Sequence, residues 1–472
     1  MNSGLRTFLT SFVLPALVAS AAALAMFQFL LKNEIYRSSA DELRWIQEAS
    51  RLITERYYEK VSPEQLAYDA IRGMASRDRW SGFVEPKDLP RWREENEGTY
   101  DGLGFAVYRQ GEPLTVLYSF PGSPADQAGL ETGDRIIGVD GRDCAELTIE
   151  EIIDLIKNGS VNVPVRLRVQ PYSAPPQSSG SSESSESSEP APPAMEVEVV
   201  RHTIFRPSVV DPRILDEDRG IAYVRLKSFQ DHSTEELRQA LTALTTRGMK
   251  SLILDLRGNR GGPLDQAIGI TSLFVDEGVL LWTEGRAENM ASSYSTLDGE
   301  ALFRGLPLVV LIDGFSASAS EIVAGALQDY QRALLVGERS YGKGFVQTQI
   351  DQHFLVDGEL KTARLKITTS RYFTPAGRSI GRLGRELQRP DDDQPTGLWP
   401  DFLIQIDNPE EMELLHLFQL DQEIPDEAWA LIEERCPLER RRVTESAGGF
   451  QDRQRQAAIE VLAGKRAFNA LR

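Results

Sequence analysis

Chemistry-bearing side chains are scarce in this chain of 472 residues. It has two cysteines, Cys144 and Cys436, far apart and without metal-ligand spacing, so neither a disulfide framework nor a thiolate metal site is indicated. Its four histidines, His202, His232, His353 and His416, are scattered, and no pair has the spacing of a helical zinc site. Metal chemistry is not expected, and no cofactor is called for. Positive charge is also short: 52 Lys and Arg against 71 Asp and Glu give a net charge of −19. That balance argues against a nucleic-acid partner, which needs a basic face.

One long apolar run is present. Residues 12–31, "FVLPALVASAAALAMFQFLL", carry no charge for about twenty residues, enough to span a bilayer as a helix. Small-residue cleavage sites occur at 19–21 and 23–25, but the apolar run continues past both to Leu31. It therefore reads as an uncleaved anchor rather than a cleaved signal. Either reading sends the remainder across a membrane, to an extracytoplasmic face. Arg6 before the run and Lys32 and Arg37 after it do not fix the orientation.

A length of 472 residues suits two to four domains. Residues 1–35 form the anchor or signal, and 36–97 a helical region, with Leu43, Ile46, Leu52 and Ile53 near one stripe and Ser62-Pro63 opening a second helix. From 98 to 203 short strands and glycine turns take over. A Ser/Glu/Pro insertion at 173–194 has nothing to bury and reads as a disordered loop between two paired strands, Val165–Val169 and Val197–Val200. Residues 204–408 alternate strands and helices, implying a mainly parallel sheet with helical cover. The helix after Asp231 is expected to be capped by Ser233, boxed by Glu236 and ended by Gly248. The tail, 409–472, is helix-like and could cap the core or serve a homo-oligomeric assembly.

Chemistry is concentrated in "LPLVVLIDGFSASASEIVAGALQDY". Ser318 and Glu321 fit a capping box, which by itself makes Ser318 a helix cap worth about 1 kcal/mol. A serine at a strand-to-helix turn is also a well-placed nucleophile, since helix N-terminal N–H groups stabilise an oxyanion. Its base would be His353, which no Asp-His pattern supports, or Lys343, which lies in a glycine-flanked turn with Gln347 four residues on. A lysine acts as base once desolvation brings its pKa toward neutrality, and a neutral amide suits that better than a carboxylate.

Two resemblances sharpen this. Gly102-Leu103-Gly104-Phe105, Ser123-Pro124-Ala125, Ala128-Gly129-Leu130 and Gly133-Asp134 follow the order of a PDZ domain. That implies that Gly102, Leu103, Gly104 and Phe105 receive a peptide end while the adjacent strand edge accepts an extended chain. Further, "RWREENEGTYDGLGF", "LILDLRGNRGG", "SASASEIVAGALQD", "GERSYGKGFVQT", "LKITTSRYFTPAGRSI" and "GLWPD" together resemble the carboxyl-terminal processing peptidases, Ser-Lys serine proteases. The resemblance runs from about residue 40 to at least 407. It implies a multidomain α/β protein: a crotonase-like α/β protease core, an inserted PDZ-like β domain and an N-terminal helical region. It also implies Ser318 as nucleophile, Lys343 as general base and Gln347 orienting the lysine. The oxyanion donors would be the N–H groups of Ala319 and of Gly262, with Gly261 as its neighbouring alternative. The oxyanion turn departs from the family's usual N-P-G-G by carrying Arg260 in place of proline. Substrates would be unfolded or C-terminally exposed polypeptides. A PDZ-type scaffold that binds peptides without cleaving them is the alternative class.

Overall fold

The structure is a computed structural model and describes residues 42–470 except 110–113, 158–161, 174–191, 287–290, 357, 382–395, 437–441 and 446–449. The apolar run at 12–31 and most of the Ser/Glu insertion lie outside the described residues. The chain divides into two compact units, one formed by residues 1–89 with 347–368 and the other by 90–346 with 369–472.

In the first unit residues 42–56 are helical. The helix Pro63–Ala75 starts at Ser62, whose hydroxyl accepts the Gln65 N–H at 3.1 Å. The segment expected to be helical throughout also holds a strand: Gly82–Val84 pairs antiparallel with Arg364–Lys366 of the hairpin formed by Phe345–Val356 and Glu359–Phe373. The hairpin edge offers ladder partners that outweigh local helix preference.

Among the described residues, the second unit contains two six-stranded sheets, a two-stranded ladder of Thr99–Gly102 with His202–Phe205, and the antiparallel pair Val279–Gly285 and Ser292–Ser295, whose first strand also pairs with Ser370–Phe373. In the PDZ-like region β1 (Phe105–Arg109), β2 (Leu114–Ser119), β3 (Arg135–Val139), β4 (Pro164–Gln170) and β5 (Met195–Val200) form an antiparallel sheet in that order, with β1 at one edge. Helix α1 (Ile149–Lys157) buries Ile152 and Ile156 in a core with Leu114, Val116, Ile136, Val165 and Leu167. The strands flanking the insertion pair from Pro164↔Val200 to Val169↔Met195, as the alternating valines imply.

The mainly parallel sheet is β6 (Val209–Asp216), β7 (Ile221–Leu226), β8 (Ser251–Asp255), β9 (Leu308–Ile312), β10 (Leu334–Gly337) and β11 (Phe402–Leu403) in sequential order, antiparallel between β6 and β7 and parallel thereafter. Its inner strands are apolar on both faces because both are covered. Ala222, Val224, Leu252, Leu254, Leu308 and Val310 pack with Leu237 and Leu241 of α2 (Ser233–Thr246), Ala267 and Ile270 of α3 (Leu264–Ser272) and Ile322 and Val323 of α4 (Ala319–Asp329). The alternate residues Ile221, Tyr223, Ile253, Val309 and Leu311 meet Ala458 and Leu462 of α7 (Arg453–Ala470). The tail therefore covers the second face of the sheet. Before α7, the tail forms α5 (Pro409–Asp421) and α6 (Asp426–Arg435), and Trp429 and Ile432 of α6 pack with Tyr108 and Leu117 of the PDZ-like sheet.

The start of α2 departs from expectation. His232 holds the cap position without a side-chain bond. The Ser233 hydroxyl instead accepts the Gln230 N–H (2.8 Å) and donates to Ser208 Oγ (2.7 Å). Glu236 takes the N–H groups of Ser208 (2.8 Å) and Val209 (3.2 Å). Those amides lead into β6 and need acceptors once buried, so the tertiary donors win Glu236 from its own helix.

Asp211 in β6 is strained and underpaired. Its φ is +53°, and Oδ2 has no hydrogen bond although Arg213 Nη2 lies 3.1 Å away. Burial pushes its carboxyl up to about 6, against the pull of Arg213. The folded chain then holds more protons than the unfolded one from about pH 4 to 6. This group's contribution to stability falls as pH rises through that window and is flat above it. Asp211→Asn is expected to raise the melting temperature at pH 7.5, by roughly 1–3 kcal/mol of stability, and to lose that advantage below about pH 4. Thermal unfolding across pH 3.5–8 checks this; a pH-independent difference contradicts it.

Candidate active site

Parallel strands bring their C-terminal ends to one side of a sheet, and the loops there carry function. The neighbours β8 and β9 end in the turn 257–262 and in the loop 313–318 that opens α4. The two are laced together. Asp313 accepts the Gly258 N–H with both oxygens (3.0 Å each), and Ser316 Oγ donates to the Leu256 carbonyl (2.8 Å). The Asn259 carbonyl accepts the Ala317 N–H (3.0 Å) and the Ser320 hydroxyl (2.9 Å). Ser316 and Ser320 are thus buried bonding groups, whose hydroxyls hold the turn.

Asn259 also sorts the two glycines. Its Oδ1 accepts the Gly261 N–H at 2.9 Å while its Nδ2 donates to the Leu226 carbonyl at 2.7 Å. Gly261 is spent as a donor, whereas the N–H groups of Gly262 and Ala319 have no acceptor among the described residues. Neither glycine tolerates a side chain. A Cβ on Gly261, which has φ +91°, would lie 2.8 Å from both Ser318 Cβ and the Ala319 nitrogen, and one on Gly262 would lie 2.1 Å from the Phe229 carbonyl. The turn therefore abuts Ser318 by backbone contact. Where the family has proline, the Arg260 guanidinium lies over the Phe315 ring at 6.0 Å, a second way to restrain the turn's outer side.

Ser318 has φ +57° and ψ −113°, a conformation an L-residue rarely holds unless its surroundings impose it. The capping box exists in outline, but only one half reaches hydrogen-bond geometry. The Ser318 N–H donates to Glu321 Oε2 (2.9 Å), while the Ser318 hydroxyl makes no cap bond. The expected helix-cap bond of that hydroxyl is accordingly not formed.

Glu321 does more than close a helix. Fully buried, it accepts Ser318 N–H and Lys343 N–H (2.9 Å each) on Oε2, and Gly342 N–H (2.7 Å) and the Ser340 hydroxyl (2.5 Å) on Oε1. Burial pushes its carboxyl above the usual range, with Ser340, Gly342, Ser318 and Lys343 opposing as donors. One carboxylate therefore joins the backbone of Ser318 to the backbone of Lys343, twenty-five residues on. The Lys343 turn is packed as tightly: a Cβ on Gly342 would lie 2.7 Å from Thr396, and one on Gly344 2.3 Å from the Gly381 nitrogen. The Tyr341 N–H donates to the Ser316 carbonyl at 3.0 Å. Tyr372, buried on the neighbouring strand, donates its hydroxyl to the Ser318 carbonyl at 3.3 Å.

Gln347 belongs to the first unit, where its Nε2 donates to Thr368 Oγ1 at 3.4 Å. His353 sits exposed on the same hairpin, with Nδ1 3.0 Å from Thr362 Oγ1. In the PDZ-like loop the Leu103 carbonyl accepts the Ala125 N–H and the Gly104 carbonyl accepts the Phe120 N–H (2.9 Å each). The Leu103 and Gly104 N–H groups have no acceptor among the described residues, and Gly104 has φ +80°. Phe105 then begins β1, the edge strand.

Sequence reasoning missed three groups. Glu321 was read only as a cap partner, because its link to residues 340–343 is not local. Asp313 carried no motif of its own. Arg257, fully buried, pairs with Asp255 (2.6 Å) and with Asp452 of the tail (2.7 Å), a partner 195 positions away.

Residues 220–386 match the family model of peptidase family S41, and residues 115–171 that of a PDZ domain. A carboxy-terminal-processing protease of Bartonella bacilliformis is 31% identical over 378 residues, covering 79% of this chain and 80% of its own. A chloroplastic C-terminal processing peptidase of Tetradesmus obliquus is 32% identical over 339 residues, covering 70% of each chain. Among solved structures, a photosystem II D1 C-terminal processing protease is 28% identical, with a TM-score of 0.39 over 76% of this chain and 92% of its own.

Proposed function

The chain belongs to the carboxyl-terminal processing serine proteases of peptidase family S41, and from that premise we propose how its own residues cleave a peptide bond. Ser318 Oγ attacks the scissile carbonyl while neutral Lys343 accepts its proton. The N–H groups of Gly262 and Ala319 receive the oxyanion. Lys343 then protonates the leaving amine, and the same lysine activates a water that hydrolyses the acyl-enzyme, returning Ser318. Gln347, a neutral amide, orients the lysine without stabilising its charged form. No cofactor enters any step.

The observation that carries this reading is the pair of unspent N–H groups flanking a strained serine whose backbone shares a buried carboxylate with Lys343. The sequential, largely parallel sheet agrees with a crotonase-like core, and the helices at 42–56 and Pro63–Ala75 agree with an N-terminal helical region. The uncharged run at 12–31 supports a membrane-anchored protease working on the extracytoplasmic face.

Substrate selection follows from the PDZ-like loop. The Leu103 and Gly104 N–H groups, without acceptors among the described residues, suit a terminal carboxylate, and β1, the edge strand among the described residues, suits strand addition by the chain that ends in it. Two otherwise identical peptides, one with a free C-terminal carboxylate and one amidated, test this. The amide is expected to be cleaved with kcat/KM lower by about 10-fold, chiefly through KM, since a charge-assisted contact is worth about 1.5–3 kcal/mol. Equal kcat/KM for the two removes the carboxylate from the recognition.

A further inference from the structure

The C-terminal tail reaches the oxyanion turn through one side chain. Arg257 follows β8 after one residue, Leu256, and is the first residue of the turn 257–262. Its guanidinium is fully buried, and all of its donors are directed at acceptors on two segments. Nε and Nη2 meet Asp255 (3.0 and 2.6 Å), and the Arg257 N–H itself donates to Asp255 Oδ1 at 2.9 Å. The opposite edge is held bidentately by Asp452, Nη1 to Oδ1 at 2.8 Å and Nη2 to Oδ2 at 2.7 Å, with Gln454 Oε1 3.0 Å from Nη1. Asp452 is in turn fixed by α7, whose Arg455 N–H donates to its Oδ1 at 3.0 Å, and by the Asp452 N–H, which donates to Glu445 at 2.9 Å.

We infer that Asp452 is a positioning residue for the peptidase reaction, acting through Arg257 to hold the turn that presents the Gly262 N–H. The covalent distance is short: four residues, 258–261, separate Arg257 from Gly262. Within them, Gly258 N–H on Asp313 and Asn259 on Ala317 and Ser320 transmit the placement directly to the loop carrying Ser318. A bidentate carboxylate fixes the guanidinium in plane and in angle, which a single acceptor does not. Loss of Asp452 leaves Nη1 with Gln454 alone and Nη2 with Asp255 alone, around a guanidinium that is fully buried. The side chain then seeks a new arrangement, and the turn moves with it. The tail thereby becomes part of the catalytic assembly as well as a cover for the sheet.

The same carboxylate also bonds the first turn of α7, so stability by itself does not separate the two roles. The inference rests on Gly262 and Ala319 being the oxyanion donors, and the experiment is arranged to separate the two claims. Wild type, Asp452→Asn, Gln454→Ala and Ser318→Ala are compared as full-length proteins on a reporter peptide. Each is also titrated with a peptidyl trifluoromethyl ketone, whose tetrahedral adduct places an oxyanion in the hole. Asp452→Asn is expected to lower kcat by about 10- to 100-fold with KM within about twofold, the scale expected for small misplacement of reacting groups. The ketone's Ki is expected to rise by the same factor. Gln454→Ala is expected to lower kcat by about 3- to 10-fold, again with KM unchanged. If Asp452→Asn does not fold, that variant decides. Wild-type kcat and Ki beside a lowered melting temperature would reduce Asp452 to a helix cap and overturn the inference. Ser318→Ala that cleaves like wild type would instead sink the site reading itself.

Discussion

Replacing Ser318 or Lys343 by alanine is expected to lower peptide hydrolysis by about four orders of magnitude or more, and the double variant is expected to be no worse than either single one. Residues that act as a unit in one proton-transfer step show that non-additivity, because once either is lost the other has nothing to do. The remaining rate would come from the oxyanion donors and from substrate binding alone. His353→Ala is expected to retain full activity, since its Nδ1 faces Thr362 on an exposed hairpin. A casein or reporter-peptide assay with all four proteins decides the matter. Activity lost with His353 and kept without Lys343 would transfer the base to histidine. Equal slow cleavage by wild type and the Ser318 variant would leave a peptide-binding scaffold.

The second large effect is expected at Glu321. Its two oxygens accept four donors, two from the Lys343 turn's backbone, one from Ser340 and one from Ser318 itself. Glu321→Gln keeps the size but replaces one oxygen with an NH2 group. Whichever way the amide turns, that group confronts at least one backbone N–H: either Ser318 N–H and Lys343 N–H, or Gly342 N–H beside the Ser340 hydroxyl. The expected result is a folded protein with kcat reduced by about 100-fold, because nucleophile and base no longer share an anchor. Glu321→Ala is harsher. It leaves buried donors without acceptors, at about 1–3 kcal/mol each, so a large fall in melting temperature accompanies the loss of activity. Stopped hydrolysis assays beside thermal unfolding separate the two outcomes. Wild-type kcat in a folded Glu321→Gln would show that the shared carboxylate is structural only.

The sequence disclosed what is local or periodic, and missed what is neither. Strands β7, β8 and β9 announced themselves as apolar runs because both faces of the sheet are covered, and the structure assigns their alternate residues to two cores. The hairpin around the Ser/Glu insertion followed from alternating valines. Ser318 could be singled out because three serines and a glutamate stand in a spacing with two physical meanings. Local grammar then misread the details. It gave the Ser318 hydroxyl a cap bond that the structure does not form, and it gave Glu236 to its own helix when buried amides of residues 208 and 209 claim it. It could not see the second partner of Glu321, because nothing in S-x-x-E points to a turn twenty residues on. Nor could it pair Arg257 with Asp452, since a buried ion pair between distant segments leaves no periodic trace. The oxyanion turn lies between these cases. Its glycines were legible as a backbone requirement, while the division of labour between them depends on which N–H Asn259 consumes.

The central claim is that Ser318 is the residue that becomes acylated. The most direct measurement is labelling of the full-length protein with a serine-directed fluorophosphonate, followed by mass spectrometry of the modified peptide. A single adduct on Ser318, lost in Lys343→Ala at equal protein folding, is the predicted result. An adduct on Ser316, Ser320 or any other serine, in a preparation that cleaves peptides, would contradict it.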